Sequence, residues 1–554
     1  MPPTPSDADA RFDRTIDRWF RDRLRLEPEL ATYLGVHDHD HELSVASREA
    51  VEERVTALRA TIDELSRFDA GELSSDRSLD RDLVVHEARL RIHDLTERRS
   101  WAGRSGAAED IGDALFPLFT RDYAPLAERL EAITARLDQA PRYLAETRSR
   151  VSEPVRLWTD IDIESTTALP GFLDTIVSAA RAEHVDATLV AELERATGTA
   201  KVALEEHLGW LRTDVVPRAD GHWATGPEMF EEIVALRELE ANGDEILAVG
   251  EEMLAQNTAA REAVAREIDP VATPEEVIDI VKDDHPATFP EALELYRDAM
   301  QRARQFIIDH DLATLPAQDH LKVIETPGYI RHLIPFAAYY EPAKFDPEPL
   351  GIYIVTPPSS PDMMREHNRS SISNTSVHEA YPGHHHQLAA TISNPSIVRA
   401  TLSAAGLAPE FAEGWAFYCE RMMKEAGFDD TPRHRYVQYT DAIWRSARII
   451  LDVKLHRGDI GFDDAVDYLV GVTGFERPAA LAEVKRYTST PTYQLSYLFG
   501  RHLIDRVRTD VEARMGPAFS LKFFHDTLLF GGTMPVHYAR RLFDARLASD
   551  GMDR

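Results

Sequence analysis

Histidines cluster with a glutamate in the stretch Ser-Val-His-Glu-Ala-Tyr-Pro-Gly-His-His-His-Gln, residues 376–387. His378 and Glu379 are adjacent, and three more histidines follow within two helical turns. Zinc hydrolases hold the metal with neutral imidazoles and use a nearby carboxylate to take a proton from the attacking water. The residue types therefore indicate metal-assisted hydrolysis, with Glu379 as the general base.

The spacing of these histidines departs from the ordinary H-E-x-x-H pattern, in which two histidines four residues apart share one helix face. Position four after His378 is Pro382. On a continuous helix His384 would lie roughly 240° around the helix axis from His378 and about 9 Å further along it. At that separation the two imidazoles could not bind one ion. Pro382 disrupts the helix and Gly383 tolerates unusual backbone torsions. A Pro-Gly bulge could therefore bring the side chain of His384 close to that of His378. His385 is the alternative ligand, and a surface histidine cluster without metal is the alternative interpretation.

A third ligand must come from further along the chain, because two histidines leave a tetrahedral zinc site incomplete. The stretch from Pro409 to Glu420 predicts a helix, with a proline in its first turn and apolar residues at spacings of four, four and three. Glu413 lies 29 residues after His384 and precedes a glycine that permits close backbone approach. Glu420, two turns further along the same face, is the alternative ligand.

Composition excludes several classes of protein. The chain has 554 residues, of which 43% are hydrophobic, and a formal net charge of −33. This length predicts roughly two to four domains with a large core. The acidic excess argues against a nucleic-acid partner, because phosphate binding requires a basic surface. Cys419 is the single cysteine, which excludes an internal disulfide and a cysteine-rich metal site.

The N-terminal residues, Met-Pro-Pro-Thr-Pro-Ser-Asp, contain no basic n-region and no apolar h-region, so no secretory signal is expected. The chain also lacks a run of 18 apolar residues, so no transmembrane helix is expected. From these two absences, the default expectation is a cytoplasmic protein without a membrane partner.

The order of the predicted elements indicates a mostly α protein with two lobes. Residues 1–320 predict one amphipathic helix after another, and Thr273-Pro-Glu-Glu276 predicts a capping box. Spacings of four and three mark one such helix at Val51, Val55, Leu58, Ile62 and Leu65. We therefore expect an N-terminal helical lobe over residues 1–320 and a catalytic lobe over residues 321–554.

A small sheet is expected over residues 321–360. The runs 321–325 and 352–356 are rich in β-branched residues and bounded by prolines, which predicts strands. The aromatic segment between them, which includes Tyr339 and Tyr340, is predicted to be irregular. Such a sheet could accept an extended peptide along its edge; the alternative is a purely structural hairpin.

Three motifs resemble the bacterial domain-of-unknown-function 885 family. They are His-Glu-Ala-Tyr-Pro-Gly-His-His at 378–385, Glu-Gly-Trp-Ala at 413–416 and Tyr-Leu-Phe-Gly at 497–500. Weaker similarity extends over most of the chain. That family in turn resembles the helical zinc peptidases typified by angiotensin-converting enzyme, thimet oligopeptidase and the Taq-type carboxypeptidase.

The resemblance implies a mostly α fold in which two helical lobes flank a deep channel, with zinc at the channel floor and a small sheet near it. It implies that His378, His384 and Glu413 bind the zinc ion and that Glu379 is the general base. It implies no organic cofactor.

The resemblance also implies a downstream tyrosine that steadies the oxyanion of the tetrahedral intermediate. Tyr497 is the candidate and Tyr493 is the second choice. The family commonly has a glutamine near Tyr493, whereas here Gln494 is shifted by one residue, which puts the substrate contacts of this segment in doubt.

We expect a zinc-dependent hydrolase, specifically a metallopeptidase that cleaves short peptides. Two alternatives remain open: a zinc hydrolase of non-peptide amides or esters, and a metal-binding protein without turnover. Glu379 beside His378 favours an enzyme, because a closed structural zinc site has no need of a base. Serine hydrolase chemistry lacks support, since the chain has no G-x-S-x-G motif.

Overall fold

The computed structural model describes residues 7–326, 331, 334, 337–358, 360 and 362–550. Within these residues it contains 23 α-helices and a sheet of three strands, which confirms the mostly α fold class. Two compact units can be distinguished: Met1–Trp223 with Ala343–Glu348, and Ala224–Pro342 with Pro349–Arg554. The lobe boundary predicted near residue 320 falls inside the second unit, and a separate lobe over residues 1–320 stays a prediction.

Nine of the described α-helices belong to the first unit. They are α1 (Asp7–Leu26), α2 (Pro28–Leu34), α3 (Arg48–Leu65), α4 (Ser75–His93), α5 (Ser100–Gly103), α6 (Ala107–Thr120), α7 (Leu126–Arg150), α8 (Arg156–Ala182) and α9 (Ala187–Trp210). Helix α7 packs along α9 and against α6, and α8 packs against α6 and α9. The apolar face predicted for α3 is buried at Val51, Val55, Leu58 and Leu65.

A histidine in the short 3-10 turn after α2, His37, joins three parts of the first unit. His37 contacts Asp40 through Nδ1 at 2.8 Å and Asp346 through Nε2 at 3.0 Å. Its ring stacks on Tyr123 with 3.6 Å between the centroids. Although burial alone would lower it, hydrogen bonding to Asp346 and Asp40 raises the pKa of His37 to about 9. The cationic imidazole therefore fastens the segment Ala343–Glu348 to this unit.

The other fourteen described α-helices belong to the second unit. They are α10 (Pro227–Leu236), α11 (Gly243–Ile268), α12 (Pro274–Lys282), α13 (Phe289–Asp309), α14 (Arg369–Glu379), α15 (His384–Ile392), α16 (Ile397–Thr401), α17 (Pro409–Glu425), α18 (Pro432–Arg457), α19 (Phe462–Thr473), α20 (Arg477–Tyr487), α21 (Ser496–Met515), α22 (Leu521–Phe530) and α23 (Val536–Asp550). The capping box predicted at Thr273 and Glu276 is present at the start of α12. Helix α11 packs along α18, and α17 packs along α21. None of the helices described is both long and apolar enough to span a membrane.

The sheet of the second unit has three strands, β1 (Leu321–Glu325), β2 (Ala337–Tyr340) and β3 (Gly351–Val355), in the order β1-β3-β2. Strands β1 and β3 confirm the two predicted runs, but they pair in parallel and do not form a hairpin. The prediction of an irregular segment around Tyr339 is wrong, because Tyr339 pairs with Tyr353 as β2 runs antiparallel to β3. The partner strand supplies the hydrogen bonds that the local sequence of β2 does not signal.

The charge on His37 makes the stability of the first unit depend on pH. Its pKa is raised in the folded state, so its contribution is complete below about pH 6.5 and is lost as pH rises through about 9. Each pKa unit corresponds to about 1.4 kcal/mol, which sets an upper limit of about 3 kcal/mol. Urea unfolding at pH 6 and pH 9.5 should therefore show a smaller loss of stability in His37→Gln than in wild type. The exposed His41→Gln is the control, and an equal loss in wild type and His37→Gln would contradict the assignment.

Candidate metal centre

A sharp reversal of the chain brings two of the predicted ligands together. Helix α14 ends at Glu379 and α15 begins at His384, so the predicted bulge is a complete break between two helices. The N–H of Gly383 donates to the carbonyl of Val377, six residues back. A Cβ at Gly383 would collide with the carbonyl oxygen of His378, so only glycine permits this approach. The reversal places the ring centroids of His378 and His384 4.8 Å apart.

The third predicted ligand, Glu413 on α17, faces both imidazoles. Its Oε2 lies 3.8 Å from Nε2 of His378 and 3.5 Å from Nε2 of His384. Zinc bonds of about 2.1 Å in a tetrahedron place neighbouring ligand atoms about 3.4 Å apart. In the part of the chain that the structure describes, the buried Oε2 accepts no hydrogen bond. A metal ion would satisfy this oxygen, so the residues present fit a zinc site.

Glu420, the alternative ligand, contacts the opposite nitrogen of His378. Its Oε1 lies 2.7 Å from His378 Nδ1, and its Oε2 accepts a hydrogen bond from Asn374 at 2.9 Å. Asn374 also donates to Asp441 at 3.0 Å. Because Nδ1 is held by Glu420, Nε2 is left to face Glu413. The sequence analysis missed Asn374, although its position one turn before His378 on α14 was a usable signal.

The electrostatics of the group would couple the binding of a metal ion to the release of a proton. Although burial alone would lower it, the neighbouring carboxylates of Glu413 and Glu420 raise the pKa of His378 to about 10. Burial would raise the pKa of Glu413, but His378 and His384 hold it well below its usual range. The metal-free group is therefore an ion pair around a protonated imidazole. A metal ion must displace that proton in order to bind.

The other two histidines of the motif point to different partners. Nε2 of His385 lies 3.2 Å from Asp319, and its Nδ1 lies 2.9 Å from the hydroxyl of Tyr339 on β2. His386 contacts the carbonyl of Thr314 at 2.9 Å through Nε2. Both side chains are fully buried, so the cluster is not a surface feature. His385 ties α15 to the sheet and does not join the ligand group.

Glu379 is the last residue of α14 and follows His378 directly. Its side chain is half-buried. Among the described residues, none donates a hydrogen bond to its carboxylate. Its negative charge acts on two buried tyrosines, because burial, together with this charge, raises the pKa of Tyr296 and of Tyr353. An uncommitted carboxylate beside a ligand group is suited to accept a proton.

The two predicted oxyanion donors lie on the other side of Glu413. The hydroxyl of Tyr493 is 3.5 Å from Glu413 Oε1, and the rings of Tyr493 and Tyr497 are 6.2 Å apart. Tyr497 is on α21, whereas Tyr493 lies in the turn before that helix. The N–H groups of Thr492 and Leu495 donate to Asp452 on α18, and this holds the turn in place.

Close packing of two glycines sets the distance between α17 and α21. A Cβ at Gly414 would collide with the backbone of Gly500, and a Cβ at Gly500 would collide with the carbonyl of Glu410. The backbones of the two helices are therefore in direct contact. Gly414 follows Glu413, and Gly500 lies one turn after Tyr497. This crossing places a predicted ligand and a predicted oxyanion donor side by side.

Comparison with known proteins assigns the chain to a family. The model of the family described as bacterial protein of unknown function, DUF885, matches residues 28–542. The chain belongs to the DUF885 family. This confirms the family resemblance that the three motifs carry. No curated protein matches the sequence.

Two solved structures have the same fold as this DUF885 protein. One is a putative lipoprotein of unknown function from Shewanella oneidensis, with a TM-score of 0.79 and 22% identity over 96% of this chain and 99% of that chain. The other is a putative lipoprotein from Colwellia psychrerythraea, with a TM-score of 0.82 and 16% identity over 99% of this chain and 100% of that chain. At these identities the likeness shows the fold alone.

These names correct the expectation of a cytoplasmic location. Both proteins of the same fold are called lipoproteins, which contradicts a cytoplasmic default for this DUF885 protein. The expectation rested on the absence of a signal and of an apolar span, and such absences do not determine where a protein works.

Substitution of the crossing glycines should loosen the metal centre. Gly500→Ala forces α17 and α21 apart, and overpacking of this kind costs about 1–3 kcal/mol. We expect lower thermal stability together with weaker zinc binding, measured by unfolding and by competition with a chelating dye. Gly471→Ala on α19 is the matched control, because its Cβ meets no atom within 4 Å; it should stabilise by about 0.4–1 kcal/mol. Unchanged zinc affinity in Gly500→Ala would argue against the crossing as the determinant.

The two carboxylates on α17 should affect zinc differently. Glu420→Gln keeps all three ligand atoms but weakens the hold on His378 Nδ1, so zinc affinity should fall by about 10–100-fold. Glu413→Gln removes a charged candidate ligand, so its zinc affinity should fall further than that of Glu420→Gln. Both are measured by dye competition, with the half-exposed Glu425→Gln on the same helix as control. If Glu413→Gln retains zinc and Glu420→Gln loses it, the two roles are exchanged.

Proposed function

We propose that this DUF885 protein is a zinc-dependent hydrolase, and specifically a metallopeptidase that cleaves short peptides. One observation carries the proposal: the facing Nε2 atoms of His378 and His384 and the unsatisfied Oε2 of Glu413 surround one point. Glu379 directly follows the first of these residues. A binding site without turnover has no use for that additional carboxylate.

His378, His384 and Glu413 would hold the ion. Two imidazoles and a carboxylate are a donor set that catalytic zinc sites use, with one position left open for water or substrate. When bound, zinc supplies Lewis-acid chemistry, since it acidifies water and polarises a carbonyl. Glu420 supports this set by holding the imidazole of His378 in one orientation.

Glu379 would act as the general base. Its carboxylate is available to take a proton from the attacking water and to pass that proton to the leaving nitrogen. Its position directly after a proposed ligand would bring it near the reacting atoms without making it a ligand. Acid–base catalysis of this kind contributes about 10²–10⁴-fold to the rate.

The tyrosine pair would support the oxygen of the scissile carbonyl as it gains charge. Tyr497 is the first candidate donor, and Tyr493, whose hydroxyl is 3.5 Å from Glu413, is the second. Preorganised donors of this kind contribute roughly 3–4 kcal/mol each in other hydrolases. A peptide substrate is favoured by the resemblance of the broken His-Glu motif and the helical fold to zinc peptidases.

The role of Glu379 separates an enzyme from a metal-binding protein. Glu379→Gln should keep the zinc and the fold but lose about 10²–10⁴-fold in kcat, because an amide cannot accept the proton. Tyr497→Phe should lose less, mainly in kcat rather than KM. The measurement is turnover of an unblocked peptide library at matched zinc content, with Tyr468→Phe on α19 as control.

Two results would count against the proposal. Wild-type rates in Glu379→Gln would exclude it as the base. Cleavage of small amides or esters by the zinc-loaded wild type, without cleavage of any peptide, would replace the peptidase with a hydrolase of non-peptide substrates.

A further inference from the structure

A buried arginine that directly follows α10, Arg237, donates to three separate parts of the second unit. Its Nη1 donates to the carbonyl of Thr492. Its Nη2 donates to the carboxylate of Glu410 and, at 3.1 Å, to the hydroxyl of Ser496. All four residues are buried. Because a planar guanidinium presents its donors in a fixed fork, it holds these acceptors in one geometry.

Each acceptor of this guanidinium lies directly before, or one helical turn before, a residue of the candidate site. In chain order, the pairs of acceptor and site residue are Glu410 and Glu413, Thr492 and Tyr493, and Ser496 and Tyr497. The first pair lies on α17, and the other two lie in and just after the turn that leads into α21. One side chain therefore ties the helix of the third candidate ligand to both candidate oxyanion donors.

Thr492 adopts a backbone conformation that threonine ordinarily avoids. Its φ angle is +64°, in the left-handed region, where a β-branched side chain is strained. Such a conformation persists only where the surrounding structure imposes it. Here both peptide groups of the residue are held by buried side chains, since its N–H donates to Asp452 at 2.9 Å and its carbonyl accepts from Arg237.

Asp452 on α18 also holds the end of the same turn. Its second carboxylate oxygen accepts from the N–H of Leu495 at 3.0 Å, and its side chain is fully buried. Within the turn, the N–H of Ser496 donates to the carbonyl of Tyr493 at 3.0 Å. The turn is thus held from α18 by Asp452 and from the end of α10 by Arg237, so its conformation is set by partners that are distant in sequence.

We propose that Arg237 is a positioning residue of the candidate site. Together with Asp452 it holds Thr492 in the left-handed conformation, and this conformation sets where the two candidate oxyanion donors stand relative to Glu413. This inference rests on the proposed peptidase function. Arg237 acts through the tyrosines and takes no part in bond cleavage itself. Misplacement of a catalytic group by about 1 Å can lower a rate on the order of 100-fold, so a remote clamp of this kind affects turnover.

Replacement of the whole ion pair tests the proposal without leaving a buried charge unpaired. Arg237→Met/Glu410→Met substitutes apolar side chains of similar volume for both partners, which is often close to neutral for stability. Its kcat on an unblocked peptide library should fall about 10–100-fold with little change in KM, because a misplaced donor weakens interactions made in the transition state. Val277→Ala, in a buried cluster of the same unit, is the control; it should lower thermal stability without changing kcat.

A mutant cycle with the tyrosines separates positioning from a purely structural role. In Tyr493→Phe/Tyr497→Phe the hydroxyls are absent, so replacement of the ion pair in this background should lower kcat by no more than about 2-fold further. An equal loss of kcat in the wild-type and the phenylalanine backgrounds would show that the ion pair acts independently of the tyrosines. That result would overturn the proposal.

Glycine at position 492 tests the role of the backbone conformation. Asp452→Asn leaves one acceptor oxygen for two N–H groups and should release the turn, with a fall of about 10-fold in kcat. Adding Thr492→Gly should restore kcat to within about 3-fold of wild type, because glycine adopts a positive φ at no steric cost. Adding Thr492→Val, which keeps the β-branch, should restore nothing. Failure of glycine to rescue Asp452→Asn would contradict the proposal.

Fluorine NMR supplies a measurement that needs no turnover. Protein labelled with meta-fluorotyrosine gives resonances of Tyr493 and Tyr497, which the phenylalanine variants assign. Both resonances should shift in Arg237→Met/Glu410→Met and stay in place in Val277→Ala. If wild type cleaves peptides but the ion-pair variant shows unchanged kcat or unmoved resonances, the peptidase stands and the positioning role is refuted. If zinc-loaded wild type cleaves no peptide, the proposed function is refuted and the positioning role falls with it.

Discussion

The arrangement at the centre of the second unit depends on one interaction, the burial of the Glu413 carboxylate between the imidazoles of His378 and His384. Glu413 Oε2 is buried and receives no hydrogen bond from the residues described, while both Nε2 atoms face it. A buried charge of this kind must be neutralised by a cation. In the metal-free protein the protonated His378 provides it, and a divalent ion would replace that proton. The surrounding structure has to hold the three side chains in place both for the protonated imidazole and for a metal ion.

Backbone contacts provide this rigidity. Gly383, Gly414 and Gly500 each lie where a Cβ would collide with another stretch of main chain. At these points the distance between elements is set by the backbone and not by flexible side chains. Sites held by rigid elements keep their ligand geometry better than sites on loops. The same three glycines occur within or directly beside the motifs that carry the chemistry, so the motifs encode the packing as well as the ligands.

Charged residues of opposite sign lie on two sides of the group formed by His378, His384 and Glu413. Behind His378, the carboxylate of Glu420 is held by Asn374, which is also bonded to Asp441. Negative groups thus stabilise a cation on the imidazole side. On the tyrosine side, the guanidinium of Arg448 lies 3.9 Å from the ring centroid of Tyr497 and contributes a positive charge.

The sequence alone determined the helices, the capping box at Thr273, the two outer runs of the sheet and the residues from which a metal site could be built. These depend on interactions within a few residues, such as helical periodicity, capping and the effects of proline and glycine. The helix break after Glu379 likewise depends on neighbouring residues, namely the proline and the glycine that follow it. The tertiary structure alone decided which candidate faces which nitrogen. Glu413 and Glu420 lie on one face of one helix, and only the packing of α14 against α17 puts them on opposite sides of His378.

Tertiary packing likewise paired β2 with β3, turned His385 towards Asp319 and placed Arg448 against Gln494. None of these has a signature in its neighbouring residues, because each depends on partners from distant parts of the chain. A histidine next to a ligand histidine, or an arginine on an amphipathic helix, has the same local sequence whatever it contacts. Long-range contacts select among residues that local physics leaves equivalent, and in this protein they selected the members of the site.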